Sequence, residues 1–391
     1  MQEGHRADDL VRRHNMIDSA TVNATQDLAV AWQREGRRFA QALLVEVEGS
    51  APLPVGAMML IDESGTIEGS ITGGCVEGAV VEEAEAILDG RSEAKLLRYG
   101  ISDELAGTVG LMCGGIVHIF VCALDDRTGA VEAAALQAHA EGRPAAIATL
   151  VDGETAGARL AIIDGEATGE LGRTELLDRN VTREAQGLLE EGKTTVRRFG
   201  SDGATLGDEL RVHIRSFAPP PRMFIIGAID FSAALAPFAA QIGYEVTIAD
   251  ARDRFARSPR FSAAATVAIG WPQEVLDGVD LGPRDAVLVF THDPKFDEPA
   301  LLAALQTDAG YIGALGSRQT AADREARLRR AGAGDADIAR IHSPCGLDIG
   351  SRTAEETAVS VLAEIISSRA HRPATPLRKT TGRIHGRLEA L

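Results

Sequence analysis

At 391 residues the chain has room for two or three domains, and 45% hydrophobic with 25% charged residues is the composition of a globular protein. Its 57 acidic against 40 basic side chains leave a formal charge of −17, which argues against nucleic acid or an anionic membrane surface as partner. Four cysteines make neither a disulfide framework nor the roughly eight thiolates of a two-cluster iron–sulfur enzyme.

There is no run of about 18 apolar residues and the first ten residues are charged, so a cytoplasmic protein with reduced thiols is expected. Residues 1–24 alternate charge without a period and read as a weakly held extension. From Thr25 the pattern is regular. A helix is expected over 27–38, strands over 41–48, 57–62 and 67–71, a helix over 76–88, and strands over 95–99 and 116–122. The next hundred residues repeat that order. Gly56-Ala57-Met58-Met59-Leu60 is answered by Gly157-Ala158-Arg159-Leu160-Ala161, Arg98-Tyr99-Gly100 by Arg198-Phe199-Gly200, and His118 by His213. Residues 25–218 are therefore read as an internally duplicated α/β domain, with copies over 25–125 and 126–218.

Pro219-Pro220-Pro221 forms a stiff connector and marks a domain boundary. Short apolar strands over 223–226, 245–249, 265–269, 286–290 and 311–314 alternate with helix-sized stretches, the pattern of a Rossmann-like, doubly wound parallel sheet over 222–370. A last helix is expected over 354–368, and residues 371–391 form a basic tail.

The two copies of the first domain differ in their loops. The first alone carries Gly73-Gly74-Cys75 and Cys113-Gly114-Gly115. Cys75 stands at the start of a helix, where backbone N–H groups favour a thiolate, and its glycine neighbours would let a ligand approach or cradle a phosphate. Two thiols in two Gly-rich loops suggest a soft ligand pair or a sulfur-handling pair, with Cys113 assisting Cys75. Zinc fits poorly, since no C-x-x-C spacing is present, and Cys122 and Cys345 read as packing residues.

In the second domain, Gly227-Ala228-Ile229-Asp230 follows the first strand. A dinucleotide fingerprint would have glycine where Ile229 stands, which weakens the NAD(P) reading even though Asp250 falls where a ribose-binding carboxylate belongs. His292, in Thr291-His292-Asp293-Pro294-Lys295, and the segment Gly313-Ala314-Leu315-Gly316-Ser317-Arg318 both follow strands, at the edge where such sheets bind ligands. Gly313, Gly316, Ser317 and Arg318 offer amides and a guanidinium to an anion.

Together, Gly69-Ser70-Ile71-Thr72-Gly73-Gly74-Cys75-Val76-Glu77, Cys113-Gly114-Gly115, Thr291 to Lys295, Tyr311 to Arg318 and Gly346-Leu347-Asp348-Ile349-Gly350 resemble the XdhC/CoxI family over about residues 25–369. The resemblance implies an accessory protein of a molybdenum hydroxylase such as xanthine dehydrogenase or carbon monoxide dehydrogenase. Such a protein binds molybdenum cofactor and assists its sulfuration or insertion, acting as a chaperone rather than as the hydroxylase. Cys75 would contact the molybdenum or its terminal sulfur, and the resemblance allows a cysteine desulfurase as second partner. Ile229-Asp230-Phe231 departs from the Gly-His-Val usual in that family. The alternative class is an NAD(P)-dependent oxidoreductase with Asp250 on the ribose and His292 near the hydride. A homodimer is expected, formed through the repeat that lacks the cysteine loops.

Overall fold

The computed structural model describes residues 19–49, 51–100, 115–261 and 264–381. Cys113 and Gly114 lie outside them. Two units divide the chain, the first through Pro219 and the second over Pro220–Thr381, and each is described by itself.

The first unit is built from a unit of structure used twice. Helix α1 (Ser19–Arg34) precedes strands β1 (Phe39–Glu48), β2 (Met58–Asp62) and β3 (Ile67–Gly69), helix α2 (Glu77–Leu88), and strands β4 (Lys95–Tyr99) and β5 (Ile116–Ala123). Helix α3 (Asp126–Ala140) then opens the same series, with β6 (Ala145–Leu150), β7 (Arg159–Ile163), β8 (Glu166–Glu170), α4 (Glu175–Glu191), β9 (Thr195–Phe199) and β10 (Leu210–Phe217). The sheets have matching antiparallel orders, β3-β2-β1-β5-β4 and β8-β7-β6-β10-β9. The strand positions agree with the periodicity. The first helix begins at Ser19, eight residues before its expected start and inside the expected extension; its side chains Ala29 and Trp32 are buried, so packing rather than charge pattern decides it.

Alternation along β1 sends Ala40, Ala42 and Leu44 to the face covered by α2, with Val76, Val80 and Ala84. Leu43 and Val45 face the other way, with Met58, Phe120 and Cys122, and Val151 and Val196 of the second repeat pack against that side. The two repeats thus cover one another within the chain.

The second unit is a six-stranded parallel sheet of order β13-β12-β11-β14-β15-β16. Its elements are β11 (Arg222–Ile226), α5 (Asp230–Gln241), β12 (Glu245–Asp250), α6 (Asp253–Ala256), β13 (Thr266–Ile269), α7 (Pro272–Leu276), β14 (Ala286–Val289), α8 (Pro294–Leu305), β15 (Tyr311–Ala314), α9 (Arg318–Arg330), α10 (Asp335–Ala339), β16 (Ile341–His342) and α11 (Ala354–Arg369). The order reverses between β11 and β14, so loops 227–229 and 291–293 flank the switch point where doubly wound sheets hold ligands. Among the described residues no helix is long and apolar enough to cross a membrane.

Candidate functional site

Strand β3 ends at Gly69, whose φ is +81°, and a Cβ there would lie 2.4 Å from the Met58 carbonyl oxygen, so only glycine lets the chain leave the sheet at this point. The loop that follows is organised by a carboxylate. Glu77, in the first turn of α2, accepts hydrogen bonds from the Ser70 hydroxyl (2.8 Å), the Ile71 amide (3.2 Å), the Thr72 amide and hydroxyl (2.8 Å each) and the Val76 amide (3.1 Å). Burial opposes its charge, but the donors of Thr72, Ser70 and Gly74 outweigh that and hold the pKa at about 2. The Ser70 and Thr72 hydroxyls in turn accept the Gly73 amide (3.0 Å) and the Cys75 amide (3.2 Å).

This changes the reading of the glycines. The amides expected to cradle a phosphate at Gly73 and Gly74 already face Ser70 and Glu77, an internal anion. Gly73 and Gly74 have φ of +78° and +112°, conformations that other residues rarely adopt, and among the described residues no atom outside the adjoining stretch of chain lies within 4 Å of a Cβ built on Gly73, Gly74 or Gly78. What the loop presents is the Cys75 side chain, half-buried against the α2 side of the core. Gly115 is buried just before β5, while the rest of the Cys113-Gly114-Gly115 motif falls outside the described residues.

In the second repeat the corresponding loop is closed. Thr174 caps α4 through the Leu177 amide (3.1 Å), and its hydroxyl donates to the Asp202 carbonyl (3.0 Å) in the link from β9 to β10. Of the remaining cysteines, Cys345 is buried and its thiol is pushed up to about 12 by desolvation and then by Glu364. His118 Nε2 lies 2.9 Å from Glu48 Oε1, a local partner that accounts for it.

At the switch point of the second unit the expected cofactor groups are engaged within the protein. The Gly227 amide donates to the Ala249 carbonyl (2.7 Å), the Ala228 amide to Asp250 Oδ2 (2.8 Å) and the Ile229 amide to the Gly227 carbonyl (3.1 Å). A Cβ on Gly227 would lie 2.9 Å from Thr291 Cγ2, so this glycine serves the approach of two loops. Asp250 is buried and held by Arg252 through Nε (2.9 Å), Nη2 (2.7 Å) and the amide (2.8 Å). Desolvation raises its pKa, but the Arg252 and Ala228 donors bring it below the usual carboxylate range. Ile229 packs on the core beneath α5, and Asp230 pairs with Arg260. Gly313 is interior to β15, where a Cβ would lie 2.7 Å from the Tyr311 ring, so its smallness serves packing.

His292 is exposed. Ser317 caps α9 by accepting the Thr320 amide (3.1 Å), after a turn at Gly316. Arg318, also exposed, lines a pocket of about 270 Å³ with Arg324, Ser343 and apolar residues of α9 and α10. Sequence reading missed what fixes these two loops. Thr291 donates to Asp297, Arg324 pairs with Asp297 (3.0 Å), and Arg324 also reaches the Leu315 carbonyl (2.9 Å) and the Ser343 hydroxyl (2.8 Å), all largely buried.

A model described as the XdhC Rossmann domain matches residues 223–365, and that of the XdhC and CoxI family matches 32–100 and 138–200, which are corresponding stretches of the two repeats. The chain belongs to the XdhC and CoxI family. Among curated members of similar length, a Bacillus subtilis protein named as a probable xanthine dehydrogenase subunit is 28% identical over 84% of this chain and 92% of its own. The Escherichia coli protein named molybdenum cofactor insertion chaperone PaoD is 27% identical over 88% of this chain and 87% of its own. A crystal structure of a Bacillus halodurans protein called a xanthine dehydrogenase, 23% identical, shares the fold with a TM-score of 0.61 over 90% of this chain and 98% of that one.

Proposed function

We propose that this protein is an accessory factor that holds molybdenum cofactor and assists its sulfuration or insertion into a client molybdenum hydroxylase. The observation that carries the reading is the Cys75 loop: a half-buried thiol next to two positive-φ glycines, on a backbone pinned by Glu77, present in one repeat and absent from the other. Its soft sulfur fits this cofactor, because molybdenum held by a dithiolene accepts soft ligands. The fit is specific to the thiol. The loop's amides are turned to Glu77, so Gly73 and Gly74 are assigned to opening the approach and not to gripping the cofactor's phosphate.

When bound, the cofactor supplies a metal centre with sulfur ligands. This chain's own residues do the rest. Glu77 holds residues 70–76 in one conformation, the positive-φ glycines remove side-chain bulk, and Cys75 presents Sγ. Contact through few ligands suits a carrier that must release what it holds. Cys113 is assigned an assisting role from its motif, and Arg318, on the exposed edge of the second unit, is assigned to an anionic group of ligand or client.

The name of PaoD supports the insertion role and that of the Bacillus subtilis relative supports a hydroxylase as client. NAD(P) is not assigned as a ligand, since the amides of residues 227–229 and the Asp250 carboxylate have partners within the protein. Nicotinamide fluorescence should therefore not change on titration, and low-micromolar binding would restore the oxidoreductase reading. The function itself is tested by reconstitution. Adding this protein to cofactor-free hydroxylase and released molybdenum cofactor should raise the yield of active enzyme over that with cofactor alone, and an unchanged yield would sink the proposal.

A further inference from the structure

Two helices lie side by side on one face of the sheet of the second unit, α5 (Asp230–Gln241) and α11 (Ala354–Arg369). Leu235 and Ala239 of α5 and Val361 and Ile365 of α11 are buried in one core beneath them. A helix buried along one stripe ordinarily turns charged residues outward. Helix α9 of the same unit does so: seven of the 13 residues of Arg318–Arg330 are charged.

Helices α5 and α11 do not. Residues 231–244 contain no charged side chain, and residues 357–368 contain a single one, Glu364. Its carboxylate is turned inward, accepting the Tyr311 hydroxyl (2.6 Å) and the Gly346 amide (2.5 Å), with His342 Nδ1 at 3.2 Å. Outward positions are taken by large apolar side chains instead: Phe238, Ile242, Val359 and Ile366 are 37%, 43%, 49% and 44% exposed. Val359, Ala363 and Ile366 follow the i, i+4, i+7 spacing and form one stripe along α11. Scattered apolar residues on a surface need no explanation, but a patch across two adjoining helices marks a protein contact.

Charge says what covers this patch. The chain carries −17, so most of its surface repels a second copy. In a two-fold contact a patch lies against itself, and any net charge in it would meet its like. The α5–α11 face is free of that conflict. Its ends are also complementary to one another: the exposed Glu355 and Glu356 stand in the first turn of α11 and the exposed Arg369 in its last. Laying two copies of α11 antiparallel across a two-fold axis joins the apolar stripes and sets the Arg369 end of each helix against the Glu355 end of the other.

We infer that the α5–α11 face of the second unit is the surface through which two copies of this chain pair, helix against helix about a two-fold axis. The inference does not depend on the function assigned to the Cys75 loop.

Light scattering of the full chain at micromolar concentration should give twice the mass of one chain. Phe238→Glu and Ile366→Glu each enter the contact twice, once from each copy, and should raise the dimer dissociation constant about hundredfold or more in sedimentation. Both positions are exposed, so the far-ultraviolet circular dichroism spectrum should be kept. If either variant does not fold, exchange of the end charges still decides: Glu355→Arg and Arg369→Glu should each weaken the dimer and, combined in one chain, restore it. A wild-type protein with the mass of one chain would overturn the inference and leave the face to a different protein. A dimer that persists in both glutamate variants, or one that the exchanged pair does not restore, would also overturn it and move the contact elsewhere, to the second repeat for example.

Discussion

The two repeats of the first unit share a scaffold and differ in one loop, and the glycines separate the two roles. Gly56 and Gly157 have φ of +95° and +98° and donate at 2.8 Å to Leu44 and Leu150, which occupy the same place in β1 and β6. Gly69 and Gly169 have φ of +81° and +95°, and a Cβ would lie 2.4 Å from the Met58 carbonyl oxygen in one and 2.5 Å from that of Arg159 in the other. These glycines recur because the backbone requires them. Gly73 and Gly74 have no counterpart of that kind: among the described residues nothing crowds a Cβ there, and they lead into a thiol. Where the first copy has Glu77 gathering the loop's amides, the second has Asp178 taking the Leu171 amide alone (3.1 Å), with its pKa raised, burial being the main cause. A duplicated scaffold thus acts as an internal control, marking what one copy keeps beyond structural need.

The comparison can be broken by substitution. The largest effect is expected where the copies meet: Glu132→Ala leaves Arg159 and Arg215 buried without their anion and should cost about 3–5 kcal/mol in urea denaturation. Next comes the feature that only the first copy has. The Glu77 pKa is depressed from 4.5 to about 2, so its stabilising contribution is complete above about pH 4.5 and is lost as pH falls towards 2. For a half-exposed group we expect about 1–2 kcal/mol. Glu77→Gln should flatten the stability profile in that window, and an unchanged profile would show that Glu77 does not pin the loop.

The shared glycines should behave as a matched pair. Gly69→Ala and Gly169→Ala each force a Cβ onto a carbonyl oxygen at positive φ and should each cost more than about 1 kcal/mol, by similar amounts. A large disparity in melting temperature would contradict their equivalence. The smallest stability effect is expected for Cys75→Ser, within about 0.5 kcal/mol, since the thiol is only half-buried.

Strand positions and the repeat were legible because the apolar runs are short, regular and bounded by glycine. The network between the repeats and the one that fixes the loops of the second unit were not, because ion pairs such as Glu132–Arg159 and Asp297–Arg324 join residues far apart in the chain. One signal was present: Arg159 stands in β7 where the first repeat has Met58 in β2, a cation at an inward apolar position. Glu77 was visible in the motif, but its role depends on the loop folding back on the helix, which composition does not reveal. The partners of the dinucleotide-like features were hidden for a related reason. Gly227 and Asp250 occupy suitable places, but that Thr291 packs against Gly227 and Arg252 pairs with Asp250 is visible only in the fold.

The most direct test of the central claim is co-elution of molybdenum cofactor with the purified protein, wild type against Cys75→Ser, with molybdenum and pterin measured in the same fraction. Glu77→Gln provides the intermediate case, in which the thiol is present on a loosened loop. The account predicts retention by the wild type, weaker retention by Glu77→Gln and loss in Cys75→Ser, with the serine variant folded as judged by its melting temperature. Equal retention by the wild type and Cys75→Ser would contradict it and move the cofactor away from this loop.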